Sequence, residues 1–110
     1  KAELVRAFQY STACLDCTGH CLFVAFPVLD IPTTLEGIIE ECNGVLGTDW
    51  TTDDAMDIGK AVIDKELAFN KAAGFTKADD RLPEFMKYEK LPPHDVVWDV
   101  PDEMLDAVFE

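Results

Sequence analysis

Two helical runs, each with a start and a stop signal of its own, constrain this chain most. Thr33-Thr34-Leu35-Glu36 reads as a capping box, in which the Thr33 hydroxyl accepts from an amide one turn on while Glu36 reaches back. Leu35, Ile38, Ile39, Cys42, Val45 and Leu46 then recur at steps of three and four, and Gly47 is placed as the stop. Thr51-Thr52-Asp53-Asp54 repeats the start signal, with carboxylates suited to the positive end of a helix dipole. Ala55, Met56, Ile58, Ala61, Val62, Lys65, Ala68 and Phe69 follow at helical spacing until Gly74. Alternating strand patterns are few, so the periodicity predicts an all-α module.

The flanking segments are less regular. From Lys1 to Cys14, Leu4, Val5 and Phe8 fit an amphipathic helix that Gly19 must end or bend. The apolar block Leu22 to Leu29 reads as buried, and Pro27 and Pro32 keep the segment around it from being helical throughout. Past Gly74, Asp79-Asp80-Arg81-Leu82-Pro83 reads as a turn and Leu91-Pro92-Pro93 as an extended connection. Pro101-Asp102-Glu103 opens a last short helix with Met104, Leu105, Val108 and Phe109 on its apolar face.

At 110 residues the chain is at most one domain, expected to bury somewhat over ~60% of its unfolded surface. Its 48% hydrophobic content is too high for disorder, and no apolar run approaches the ~20 residues of a membrane-spanning helix. No segment reads as a signal peptide. A net charge of −13, with nine scattered basic residues, excludes a nucleic-acid partner, because phosphate contacts need clustered Lys and Arg. Three of the four cysteines fall within eight residues, a pattern pointing to reduced thiols and a cytoplasmic setting rather than a secreted disulfide framework.

Chemistry concentrates in Asp16-Cys17-Thr18-Gly19-His20-Cys21. Cys14, Cys17 and Cys21 form C-x2-C-x3-C, with Asp16, His20 and Cys42 as further donors, and soft thiolates suit zinc or an iron-sulfur cluster. The same cysteines also read as small buried hydrophobes on one helix face, if the helix ran on past Gly19. Residue types leave both readings open. His94, between Pro93 and Asp95, reads as a surface residue, and Asp79-Asp80 as turn-forming rather than catalytic. Neither a Ser-His-Asp arrangement nor a phosphate-binding glycine loop is present, since Gly37, Gly44, Gly47 and Gly59 are widely spaced within helical patterns.

Asp16-x-x-Gly19-His20-Cys21 followed by Leu22-Phe23 resembles the D-x-x-G-L-C motif in the last domain of the tungsten-pterin aldehyde:ferredoxin oxidoreductase family. Leu46-Gly47-Thr48-Asp49-Trp50-Thr51, Gly59, Phe69-Asn70, Gly74-Phe75-Thr76 and Asp79-Asp80-Arg81-Leu82-Pro83 are similar to that family's segments, in the same order.

The resemblance implies that residues 1–110 are a C-terminal helical domain, a fragment of a larger enzyme. That enzyme would oxidise aldehydes to carboxylic acids with a tungsten (or molybdenum) bis-molybdopterin cofactor and a 4Fe-4S cluster, passing electrons singly to ferredoxin. Asp16 would accept hydrogen bonds from the pterin, the backbone at Thr18 and Gly19 would lie against it, and Cys21 would be one of four cluster ligands. The other three ligands would come from an upstream domain, leaving Cys14 as core and Cys17 as loop. No catalytic residue is expected here, and the isolated fragment would be inactive, binding no cofactor alone. Its partners would be the upstream domains, ferredoxin and the aldehyde, with neither nucleic acid nor membrane.

Three features depart from the family pattern. His20 stands where an aliphatic residue is usual, so its imidazole could donate a hydrogen bond to the pterin or cluster, or simply edge a loop. Glu84 stands where Arg is common, and the sequence stops at Glu110, short of the aromatic, Gly-Trp-containing tail the resemblance leads one to expect. Two other functions remain from the residues: a zinc or iron-sulfur module of Cys14, Cys17 and Cys21 with Cys42 or His20, and a non-catalytic helical interaction domain.

Overall fold

In the computed structural model, described over residues 1–109, the backbone hydrogen bonds fall almost entirely into helices and tight turns. Five α-helices follow one another: α1 Ala2–Cys17, α2 Ala25–Asp30, α3 Pro32–Leu46, α4 Asp54–Ala72 and α5 Asp102–Asp106. 3-10 turns span Leu22–Val24 and Glu84–Lys87. Strands are absent among the described residues, and extended pairing amounts to one isolated antiparallel bridge, Leu91 to Val96. The all-α reading holds.

The helix ends show which local signals prevailed. α3 begins at Pro32, whose fixed φ suits the first helical position, after an extended Ile31 (φ −125°, ψ 105°). Thr33 is therefore already helical, and a cap needs non-helical geometry, so the predicted Thr33–Glu36 box does not form. At the second start only half of the box forms, with Asp in the role of Glu: Asp54 Oδ2 accepts from the Thr51 amide at 2.7 Å and from its hydroxyl at 2.7 Å, while the Asp54 amide bonds the Thr51 carbonyl and no side chain caps the helix. Thr76 and Asp79 repeat this geometry at 2.7 and 3.0 Å, so the turn runs from Thr76 to Asp80 and lies upstream of the Asp79–Pro83 segment the sequence implies, overlapping it only at Asp79 and Asp80. Gly47 closes α3 in the left-handed region (φ 69°). Beyond α4, Gly74 (φ 97°) lets the Phe75 amide reach the Asn70 carbonyl at 3.0 Å, with the Gly74 amide on Lys71 O at 3.1 Å, a Schellman closure.

These threonine bonds hold the Asp54 and Asp79 carboxyls below the ordinary carboxylate range, the Thr51 and Thr76 amides contributing most. A folded-state pKa below the unfolded one gives stability that is present above the unfolded value, about 4, and lost as pH falls through the folded value. Asp54→Ala is accordingly expected to lower the urea midpoint at neutral pH and to shrink its fall on acidification, measured between about pH 7 and pH 3.

α1 and α4 form the closest helix pair. Buried Gly59 is the point of contact: a Cβ there would lie 1.8 Å from the Tyr10 carbonyl oxygen, so the backbones touch where no side chain fits. Above that contact Cys14, Ile39 and Ala55 bring α1, α3 and α4 into one cluster, with Leu35, Trp50 and Ile58 packed against it. Leu15 and Ile38 are the remaining buried apolar side chains. The bond that delivers Trp50 is made by Asn43, which accepts from the Thr48 hydroxyl (2.7 Å) and the Trp50 amide (2.9 Å) and donates to the Trp50 carbonyl (2.8 Å).

The C-terminal third is held by charge rather than by a core. Arg81 reaches Asp106 at 2.8 Å and Asp102 at 3.4 Å, and Lys87 reaches Asp102 at 3.5 Å. Arg6 of α1 donates to the Ala107 and Val108 carbonyls just past α5, where a cation satisfies groups the helix leaves open. His94 is exposed, as its setting implies.

Two burial expectations are corrected. Leu4, Val5 and Phe8 of α1 are exposed, and the helix runs on to Cys17 and buries Cys14 and Leu15 instead. The Leu22–Leu29 block is outward-facing rather than buried: Phe23 is 75% exposed, Phe26 62% and Leu29 70%, with the two phenyl rings stacked at 6.0 Å. Its smaller residues Val24, Ala25 and Val28 turn inward and use up the available contact. The segment is helical through Pro27, whose place in the first turn of α2 requires no amide donor.

The whole molecule has the same character. Its accessible surface is 8322 Å², against roughly 6,100 Å² for a compact protein of this mass. Its radius of gyration is 17.5 Å, against about 13 Å. It buries roughly half of its unfolded surface, less than its length alone predicts. No helix among the described residues is long and apolar enough to cross a membrane.

Candidate cofactor-binding site

The crowded stretch folds as the end of α1 and the turn after it. Asp16 and Cys17 are the last helical residues, both exposed. The Gly19 amide closes onto the Asp16 carbonyl at 3.2 Å, and Gly19 (φ 79°) then reverses the chain with open space where a Cβ would be. Cys21 follows in extended conformation (φ −66°, ψ 138°) at the head of the 3-10 turn, its carbonyl accepting from Val24 at 2.9 Å and its side chain making no capping bond. The thiol is exposed.

Thr18 and His20 give the turn its internal structure. The Thr18 hydroxyl bonds the Leu15 carbonyl at 2.6 Å and the His20 Nδ1 at 2.8 Å. The His20 Nε2 lies 3.2 Å from Glu41 Oε2 on α3. Sequence reasoning missed Glu41, which carries no local signal: it sits on the polar side of a helix and meets His20 only through the tertiary fold.

The cysteines separate by environment. Cys14 is 5% exposed, and burial, then the neighbouring Cys17 and Cys42, push its thiol pKa up, favouring a neutral core residue over a thiolate ligand. Cys42 is half-buried, Cys17 and Cys21 are exposed, and none is in a disulfide. Among the described residues no three His, Cys, Asp or Glu side chains converge as a metal site.

Asp16 makes no side-chain hydrogen bond or ion pair among the described residues. With Cys17 it borders an open groove of about 580 Å³ between α1 and α4, walled opposite by Val62, Ile63 and Glu66. Thr18 instead faces a mainly apolar cavity of about 150 Å³ that reaches Cys14, Val28, Leu35 and Ile39. One exposed carboxylate, Asp16, and two exposed thiols, Cys17 and Cys21, therefore flank a glycine turn. In such a set a thiolate would suit a cluster iron and the carboxylate a pterin N–H edge.

The sequence model of one family, described as "Aldehyde ferredoxin oxidoreductase, domains 2 & 3", matches residues 1–110. Over 93 residues, 84% of this chain, it is 34% identical to the tungsten-containing aldehyde ferredoxin oxidoreductase of Pyrococcus furiosus. The enzymes of the same name from Pyrococcus horikoshii and Thermococcus kodakarensis are 32% and 31% identical over the same share. No solved structure matches the chain. The matched region spans 14% of the length of these curated relatives. The chain belongs to the aldehyde ferredoxin oxidoreductase family.

Proposed function

We propose that residues 1–110 are a C-terminal helical domain of a larger cytoplasmic oxidoreductase that oxidises aldehydes to carboxylic acids and delivers electrons to ferredoxin. The observation that supports this reading is that the Asp16 carboxylate and the Cys17 and Cys21 thiols are bare at one turn while the Cys14 thiol is sealed in the core, and of the two bare thiols the family motif points to Cys21. A bis-molybdopterin tungsten (or molybdenum) centre would supply the two-electron chemistry and a 4Fe-4S cluster the one-electron exit. Asp16 offers acceptors to pterin N–H groups, and the backbone at Thr18 and Gly19 forms the wall beside them, with His20 in the same turn. Cys21 supplies one thiolate, and upstream domains supply the remaining ligands. No residue here moves a proton of the reaction, so the isolated chain is inactive.

Two substitutions in the full-length enzyme test this. Cys21→Ala is expected to lower cluster iron and abolish the native EPR signal, and Asp16→Ala to reduce bound pterin while the helical circular dichroism stays unchanged. Unaltered iron, EPR signal and pterin would leave only the reading favoured by the exposed Phe23, Phe26 and Leu29, a helical interaction domain without cofactor contacts.

A further inference from the structure

We infer that Glu41 and His20 form a strut bracing the Gly19–Cys21 turn against α3, so that His20 acts as a positioning residue for Cys21 and its ring is engaged within the chain. The inference rests on the reading of Cys21 as a cluster ligand.

The bonds run in one line between two helices. The Leu15 carbonyl, among the last of α1, accepts from both the Thr18 amide (3.0 Å) and the Thr18 hydroxyl (2.6 Å). The Thr18 oxygen also lies 2.8 Å from the His20 Nδ1 and accepts from the His20 amide at 3.4 Å; its one hydrogen goes to Leu15 O or to Nδ1 according to the ring's tautomer. The other ring nitrogen meets the Glu41 carboxylate at 3.2 Å. Both ring nitrogens thus have partners within this chain, Thr18 at Nδ1 and Glu41 at Nε2.

Little else restrains the turn. Gly19 meets nothing within 4 Å of where its Cβ would be, and Gly19, Cys21 and Leu22 are all exposed. Besides the strut, the Gly19 amide on Asp16 and the Val24 amide on the Cys21 carbonyl are the backbone bonds that define the turn. Cys21 is the residue after His20, so clamping the imidazole at both ends sets the direction in which the thiol leaves the backbone. The side chains of His20 and Glu41 are 30% and 67% exposed, which makes the pair a weak stabiliser of the fold. Its effect should appear at the cluster rather than in overall stability.

The test compares His20→Ala, Glu41→Ala and the double variant in the full-length enzyme, with Cys21→Ala alongside. Each single variant is expected to shift the cluster EPR g values and speed the loss of cluster iron to a chelator about tenfold, with Tm nearly unchanged. The double variant should be no worse than either single one, since both break the same strut. Glu41→Gln, which retains an acceptor for Nε2–H, should restore the native g values. The strut is overturned if Cys21→Ala loses the cluster while both single variants keep native g values and iron retention, or if their effects simply add. An intact cluster in Cys21→Ala removes the ligand assignment and the inference with it.

Discussion

Gly59→Ala is expected to destabilise this fold more than any other single methyl group added to it. The new Cβ would fall 1.8 Å from the Tyr10 carbonyl oxygen, 2.5 Å from its carbon and 2.9 Å from its Cα. All three are backbone atoms of α1, so no side chain can rotate away, and α1 and α4 must move apart along their closest contact. Alanine is the better helix former by about 1 kcal/mol, a gain the collision outweighs. Overpacking of this kind costs about 3 kcal/mol or more, and separating the pair also loosens the Cys14–Ile39–Ala55 cluster. Thermal unfolding followed by helical circular dichroism should show a Tm lowered by at least roughly 10 °C. A Tm equal to or above that of the parent would mean the two backbones do not meet at Gly59.

Asn43→Ala is the second large effect. One amide group makes three bonds to Thr48 and Trp50, so its loss strips the α3–α4 connection of its template and leaves partly buried donors and acceptors unmatched. The cost is about 2–4 kcal/mol, because Trp50 is also released from the core cluster it packs against. Asn43→Asp keeps both acceptor roles but replaces the donor with an oxygen facing Trp50 O, so it should fall between parent and Ala only if the two acceptor bonds outweigh that repulsion. Urea unfolding with Trp fluorescence would resolve the order, and an Asp variant as damaged as the Ala variant would show that the donor alone sets the loop.

How legible these features were depended on whether their causes were local. The start and stop of α4 and the stop at Gly47 were readable because a cap or a left-handed glycine is decided within a few residues. The Thr33 box failed for a similar reason: Pro32, one residue earlier, was the stronger local signal. Asn43 was read merely as part of a helical run and Trp50 as part of a motif, since a bond across seven residues and a turn leaves no periodic trace. Gly59 appeared as a glycine in a helical pattern and as a position of the family resemblance, but its packing role was not legible, because the carbonyl that requires it lies 49 positions earlier, at Tyr10.

The candidate site divides in the same way. The sequence by itself determined that the chain is helical, that its donors crowd between Asp16 and Cys21, and through its motifs which family it belongs to. Helical period and motif spacing are properties of neighbours along the chain. Only the tertiary structure decided that Cys14 is core while Cys21 is bare, that His20 is met by Glu41 from α3, and that the Leu22–Leu29 block faces outward. Those outcomes depend on which surfaces meet. A half-apolar chain of this length carries more hydrophobic side chains than its one small core can enclose, and local pattern cannot say which ones are left outside.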